Sequence, residues 1–332
     1  MASYIRRRKF LATLLGGMAA AWPLAALAQS PPKRRVIAWI ANATRTAGSA
    51  SIASFLQGMR ELGHVEGSDF AMVYRFSDGY GDRLPSLAEE VVRLNPDVIV
   101  ATAIDSAVAV RKVTSTIPIV SGALADAVHL GLIASEARPG GNVTGIEPYV
   151  AGLPAKQMEL AREIVPGASK IGLLMNLQDP KAPPQEKELR AAAQTLGVDI
   201  AAADANRPEE IGAALRSLAS QRVNVVIVLQ TSMMFSERQQ IAAAALANRL
   251  PTVFGYPFHV EAGGLISYGV DLRWCFYRAA YFVDKILHGT APGDLPVEFP
   301  SKMVMFVNLK TARALGIEVP PTLLARADEV IE

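Results

Sequence analysis

The chain has 332 residues, 51% of them hydrophobic, with 33 Lys and Arg against 31 Asp and Glu. That length favours two domains over one core, and the near-balance of charge leaves no basic face for nucleic acid. The single cysteine, Cys275, excludes an internal disulfide, and its apolar helical surroundings make it a buried structural thiol.

The N-terminus reads as an export signal. A basic cluster from Arg6 to Lys9 precedes an apolar run, Phe10 to Leu27, that ends in Ala26-Leu27-Ala28. Gly16, Gly17 and Pro23 interrupt the run, which disfavours a permanent membrane helix. Arg7-Arg8-Lys9-Phe10-Leu11 resembles the twin-arginine export pattern. Residues 1–28 are therefore expected to be removed, placing the mature chain in a bacterial periplasm. They carry four basic and no acidic side chains, so the remainder has 29 basic against 31 acidic residues and a formal charge of −2.

Beyond the signal, β-branched runs alternate with amphipathic ones. Strands are predicted over 35–41, 69–77, 96–103 and 117–122, and helices over 51–63, 83–94, 105–114 and 126–137. A glycine-rich stretch, "RPGGNVTG" (138–145), follows, and then the alternation restarts. Helices are predicted over 156–165, 183–197, 208–220 and 236–249, and strands over 169–176, 198–205, 223–230 and 250–256. A strand over 263–269, a long helix over 273–289, and a strand and short helix over 303–316 complete the chain. Such alternation predicts βαβ units: α/β, two doubly wound parallel-sheet lobes joined by a hinge. The division is a first lobe at 34–144, a second at 145–268, and a tail at 269–332 that crosses back over the hinge and packs on the lobes. "GGNVTG" precedes a short strand rather than opening a helix, which argues against a phosphate loop. Gly141, Asn142, Thr144 and Gly145 are assigned to the hinge.

Ligands of open parallel sheets bind beyond the carboxyl ends of the strands. The polar residues there are Asn42, Thr44, Ser49, Asp105, Ser106, Gly122 and Asp126 in the first half, and Asn176, Gln230, Thr231, Ser232 and Tyr256 in the second. Ordinary helix capping accounts equally well for any single Ser or Thr among them. Asp126 either caps the helix predicted after it or meets a ligand ammonium, and Tyr256 either stacks on a planar ligand or fills the base of its lobe. No catalytic motif is present. The four histidines, His64, His129, His259 and His288, show no metal spacing, so neither a metal nor a cofactor is expected.

The motifs "LQGMRELGHVEGSDFAMVYRFSDGYGDRLPSLAEEVVRLNPDVIVATA", "TIPIV", "ARPGGNVTGIE", "EAGGLISYG" and "VNLKTARALGIEVPPTLLARADEVIE" together resemble the ABC transporter substrate-binding proteins related to the tryptophan-binding protein. The resemblance spans nearly the whole chain after residue 35. It implies a type I periplasmic-binding-protein fold whose two lobes close on a small molecule, an amino acid or another planar metabolite. Delivery to an ABC permease is implied, by a monomer without enzymatic activity. A ligand-sensing partner of a membrane receptor or kinase is the alternative, and a periplasmic enzyme on a related fold a further one. The chain departs from the family pattern at Asp126-Ala127, at Gln230-Thr231-Ser232 and at Asn176 to Pro180, all in the presumed ligand loops.

Overall fold

The computed structural model describes residues 34–148 and 150–332; the export signal expected at 1–28 lies outside the described residues. The first lobe comprises β1 (Arg35–Ala41), α1 (Ser49–Glu61), β2 (Phe70–Phe76), α2 (Leu84–Arg93), β3 (Val98–Ala101), α3 (Ile104–Val113), β4 (Ile119–Ser121) and β5 (Val143–Gly145). The second comprises α4 (Leu153–Ile164), β6 (Lys170–Met175), α5 (Ala182–Leu196), β7 (Asp199–Asp204), α6 (Ile211–Ser220), β8 (Val225–Val228), α7 (Ser232–Ser236), α8 (Arg238–Ala247), β9 (Thr252–Phe254), α9 (Pro257–Glu261) and β10 (Ile266–Gly269). The tail adds α10 (Leu272–Leu287), β11 (Val304–Asn308), α11 (Leu309–Leu315), α12 (Pro321–Leu324) and β12 (Glu329–Ile331).

The first sheet is wholly parallel, in the order β2-β1-β3-β4-β5. The second runs β7-β6-β8-β9-β10-β11-β12, with β10 and β11 antiparallel. Its first five strands repeat the order of the first sheet, so each lobe reverses its winding beside its first strand. That reversal opens a crevice at the strands' carboxyl ends. Both faces of each sheet are covered. Along β1, Ile37, Trp39 and Ala41 enter the core beneath α1, while Ala38 and Ile40 enter the one beneath α2 and α3.

The tail divides its packing. Helix α10 returns to the first lobe and lies on α1, whereas β11 and β12 extend the second sheet. The chain therefore passes between the lobes three times, between β5 and α4, between β10 and α10, and between α10 and β11. The first and third passages start side by side, with Ile146 bridging Glu298. Gly141, Asn142, Thr144 and Gly145 lie inside the first lobe, before the first passage. Asn142 donates to Ile117 O and Thr144 donates to Leu295 O, and both residues are buried.

Two local expectations are corrected. Residues 126–137 form turns rather than a helix. Asp126 (φ +52°) and Gly131 (φ +67°) take left-handed conformations, which break a helix after one turn, while Leu132 and Ile133 still reach the core. Two of the four histidines, which show no metal spacing in sequence, meet in space: the packing of α10 on α1 brings the rings of His64 and His288 to 5.8 Å, while His129 and His259 stand elsewhere.

A close approach sets the α1–α10 contact. A Cβ on Gly58, in the middle of α1, would meet Tyr277 O at 2.5 Å and Ala280 Cβ at 2.8 Å. Glycine is disfavoured inside helices, so the interface accounts for it here. Gly58→Leu is expected to force α10 outward at a cost of about 1–3 kcal/mol. Thermal denaturation followed by circular dichroism should show a melting temperature lower by several degrees, and an unchanged melt would refute this packing argument.

Candidate functional site

Between the lobes, at the strand ends, lies a narrow cavity of about 50 Å³. Its apolar wall consists of Trp39, Phe276 and Leu272 from the first lobe's side and Phe235 and Tyr256 from the second. Trp39 is fully buried, with the Phe276 ring 5.3 Å away. Phe276 in turn fills the space above Gly122, where a Cβ would stand 2.3 Å from the ring. Gly122 thus admits the aromatic wall without lining the cavity itself.

The polar wall is charged. Lys181, buried just before α5, is the cavity's cation. Burial opposes its charge, but Asp179, then Tyr256, Asp105 and Glu147, outweigh that and hold the ammonium above its usual range. Asp179 is buried beside it and accepts from the backbone N–H groups of Lys181 (3.0 Å) and Ser232 (2.8 Å). From the opposite lobe, Asp105 accepts from Asn42 Nδ2 at 2.9 Å and from the Ser106 N–H at 2.7 Å. Burial first, and Asp179 second, push the Asp105 carboxyl up, partly offset by Lys181 and Asn42. Ser77 donates to Asn42 Oδ1 and so fixes that amide. Two buried polar atoms on the cavity-lining residues have no partner in the protein: Trp39 Nε1 and Ser232 Oγ. Such atoms call for a partner from outside the chain, a ligand or a water.

The sequence pattern of the family described as ABC transporter substrate binding protein matches residues 38–331. The chain belongs to this family. A "Tyrosine-binding protein" of Clostridioides difficile is 26% identical over 264 residues, which are 80% of this chain and 76% of that one. A solved structure of a conserved domain protein from Vibrio cholerae is 28% identical, with a TM-score of 0.84, covering 90% of this chain and all of the other. A domain from Streptococcus pneumonia in complex with L-Trp shares the fold, with a TM-score of 0.82 at 22% identity over 90% of this chain and all of that one. The cavity of this chain lies between two α/β lobes.

Of the residues singled out from the sequence of this substrate-binding protein, Asn42, Thr231, Ser232 and Tyr256 line the cavity. Asp105 and Asn176 line an adjoining outer cleft of about 420 Å³, which Asn42 also borders. Thr44 sits at the junction of the lobes, its N–H donating to Ser236 Oγ at 3.3 Å. Ser49 and Asp126 are exposed, and Ser106 caps α3; none of them lines either space. Gln230 is buried beneath Gly255 and bonded to Gln185, off the cavity wall. Sequence reasoning missed Trp39, Lys181, Phe235, Phe276 and Glu147. Lys181 was within reach, since it sits in the same strand-end loop as Asn176 and Asp179. Phe276 was not, because nothing local shows that α10 returns to the first lobe. His259 is buried and stacked on Phe254, and burial lowers its pKa to about 3, so it stays neutral. Burial likewise pushes the Cys275 thiol up, which removes it as a nucleophile.

Glu147 stands at the first passage between the lobes, buried, accepting from the Asp126 N–H at 3.1 Å. Burial, with Glu136 and Asp126 adding repulsion, raises its carboxyl to about 7, against the effect of that hydrogen bond and of Lys181. A raised carboxyl pKa stabilises the fold fully below the unfolded value and loses that contribution as pH rises through the folded one. Relative to Glu147→Gln, the parent protein should therefore lose at most about 3 kcal/mol between pH 4.5 and pH 8. Urea denaturation of both across that range tests this, and parallel stability profiles would contradict it.

Proposed function

We propose that the protein is an exported, monomeric solute-binding component of an ABC importer that captures an amino acid with an aromatic side chain between its lobes and presents it to a membrane permease. The observation that carries the reading is an aromatic-walled cavity whose one charged lining residue is a buried ammonium, Lys181, beside an outer cleft lined by Asp105 and Asp179. Only a ligand with both signs of charge and a flat apolar body uses all of these groups. Its carboxylate would face Lys181 and the orphaned Trp39 Nε1 and Ser232 Oγ. Its ammonium would reach Asp105 and Asp179 in the outer cleft, which Asn42 joins to the cavity, and its ring would lie against Trp39, Tyr256, Phe235 and Phe276. The ligands named for the Clostridioides difficile and Streptococcus pneumonia proteins, tyrosine and L-Trp, are of this class.

Export rests on the basic cluster and apolar run of residues 1–28, and no helix of the described residues is long and apolar enough to cross a membrane. Capture needs the lobes to part and close. The joints would be the three passages, at 146–152, 269–272 and 298–304, with Gly141 to Gly145 leading into the first of them.

Isothermal titration of the purified chain with each of the twenty amino acids tests the reading. At least one of tryptophan, tyrosine and phenylalanine should bind, and tryptamine and indole-3-propionate, which lack one charge each, should not. Lys181→Met should weaken binding at least tenfold. Binding of none of the twenty, or equal binding of the single-charge analogues, would overturn it.

A further inference from the structure

We propose a second binding site on this protein, for one divalent transition-metal ion of the zinc type, formed by His64, Asp284 and His288. These residues lie at the end of the first lobe remote from the ligand cavity. Gly48, the residue before α1, lines that cavity, and α1 runs 13 residues away from it, about 20 Å. His64 follows the far end of that helix.

Three separate features of the fold converge there. Gly63, at φ +89°, reverses the chain, and the His64 N–H bonds Met59 O at 2.9 Å, which fixes the imidazole over α10. Asp284 and His288 are four residues apart on the last turn of α10, a spacing that sets two side chains on one helix face and serves as a ligand pair in helical zinc sites. The close contact through Gly58 then brings the two helix ends together.

The resulting geometry suits a metal. Asp284 Oδ1 stands 2.8 Å from His64 Nε2 and 3.1 Å from His288 Nδ1. One ligand atom from each of the three residues lies within 4.8 Å of the others. Ligands of a tetrahedral zinc ion, at about 2.0–2.1 Å from the metal, are about 3.3 Å apart. Small side-chain rotations reach that spacing, with His288 exchanging its present bond to Asp284 O, 2.8 Å, for the ion.

Electrostatics agree. The site stands at the carboxyl ends of both α1 and α10, where the helix dipoles favour a cation. Two imidazoles and one carboxylate select zinc, copper, nickel or cobalt over calcium and magnesium, which prefer oxygen alone. His64 and Asp284 are largely buried while the His288 side chain is 67% exposed. An ion could therefore enter from solvent and keep water in a fourth position. Bound there, it would tie the chain after α1 to α10, the helix that joins two of the three interlobe passages.

The test uses the protein without a histidine tag, freed of metal with EDTA and dialysed, and zinc chloride as the probe. One equivalent of zinc should bind and raise the melting temperature by several degrees, and cobalt should give the visible absorption of a tetrahedral centre. His288→Ala, on an exposed side chain, and His64→Gln should lose at least tenfold in zinc affinity along with the cobalt spectrum. His129→Ala, elsewhere on the surface, should lose neither. Amino-acid binding at the cavity should be the same in all three variants, so failure at either site is read independently. No zinc binding by the parent protein, or the same binding in His288→Ala, would overturn the proposal and leave a hydrogen-bonded His–Asp–His cluster.

Discussion

The arrangement of the cavity depends on the burial of one ammonium group. An isolated charge cannot be taken from water into a protein interior unless other groups compensate it. Lys181 is compensated by Asp179 in its own loop, by Asp105 from the opposite lobe and by Glu147 from a passage between them. The three carboxylates come from three different parts of the chain: Asp179 stays with Lys181 in one loop, and the contribution of Asp105 needs the lobes together. Burial first, and Asp179 second, push Asp105 up, while Glu147 is raised to about 7 by burial, with Glu136 and Asp126 adding repulsion. A cluster of this kind is sensitive to any further charge placed within it, which is the property a site for a zwitterion requires.

The lobes were legible in the sequence because parallel sheets covered on both faces leave unbroken β-branched runs, as in "VIVA" (98–101) and "VVIV" (225–228). The cavity's polar rim was partly legible for a topological reason: strand ends face the crevice, so Asn42, Thr231, Ser232 and Tyr256 could be collected without knowing the pairing. What could not be read was everything contributed by non-local packing. Phe276 and Leu272 belong to α10, which sits on the first lobe although it follows the second in sequence. The helix predicted at 126–137 failed because apolar spacing alone does not report the left-handed turns at Asp126 and Gly131. The proximity of His64 and His288 was hidden for the same reason as Phe276, since the α1–α10 contact is what joins them.

Glycine carries that contact, and does so in opposite ways at two places. Gly58 lets two helix backbones touch, and Gly122 lets the Phe276 ring descend onto β4. Both accommodate α10, one along its length and one at its cleft end. The tail helix is in consequence a structural member of the first lobe and also a wall of the cavity, so displacement of α10 would reach the ligand through Phe276 and Leu272.

Beside the packing of Tyr256, Phe258 and Phe235 into the first lobe's core, the lobes meet through polar contacts that include the Thr44 N–H to Ser236 Oγ, Arg238 to Ala47 O at 3.2 Å, Arg273 of α10 to Glu261 at 2.8 Å, and the exposed pair Arg207 and Asp82 at 3.2 Å. Exposed pairs of this kind contribute on the order of 0–1 kcal/mol each. The unpartnered Trp39 Nε1 and Ser232 Oγ belong, with Lys181, to the residues that line the cavity between the lobes. A ligand shifts a two-state equilibrium only by its differential affinity for the two states. Trp39 and Asp105 are on one lobe and Lys181, Ser232 and Tyr256 on the other, so a ligand that touches both sets has to span the two lobes.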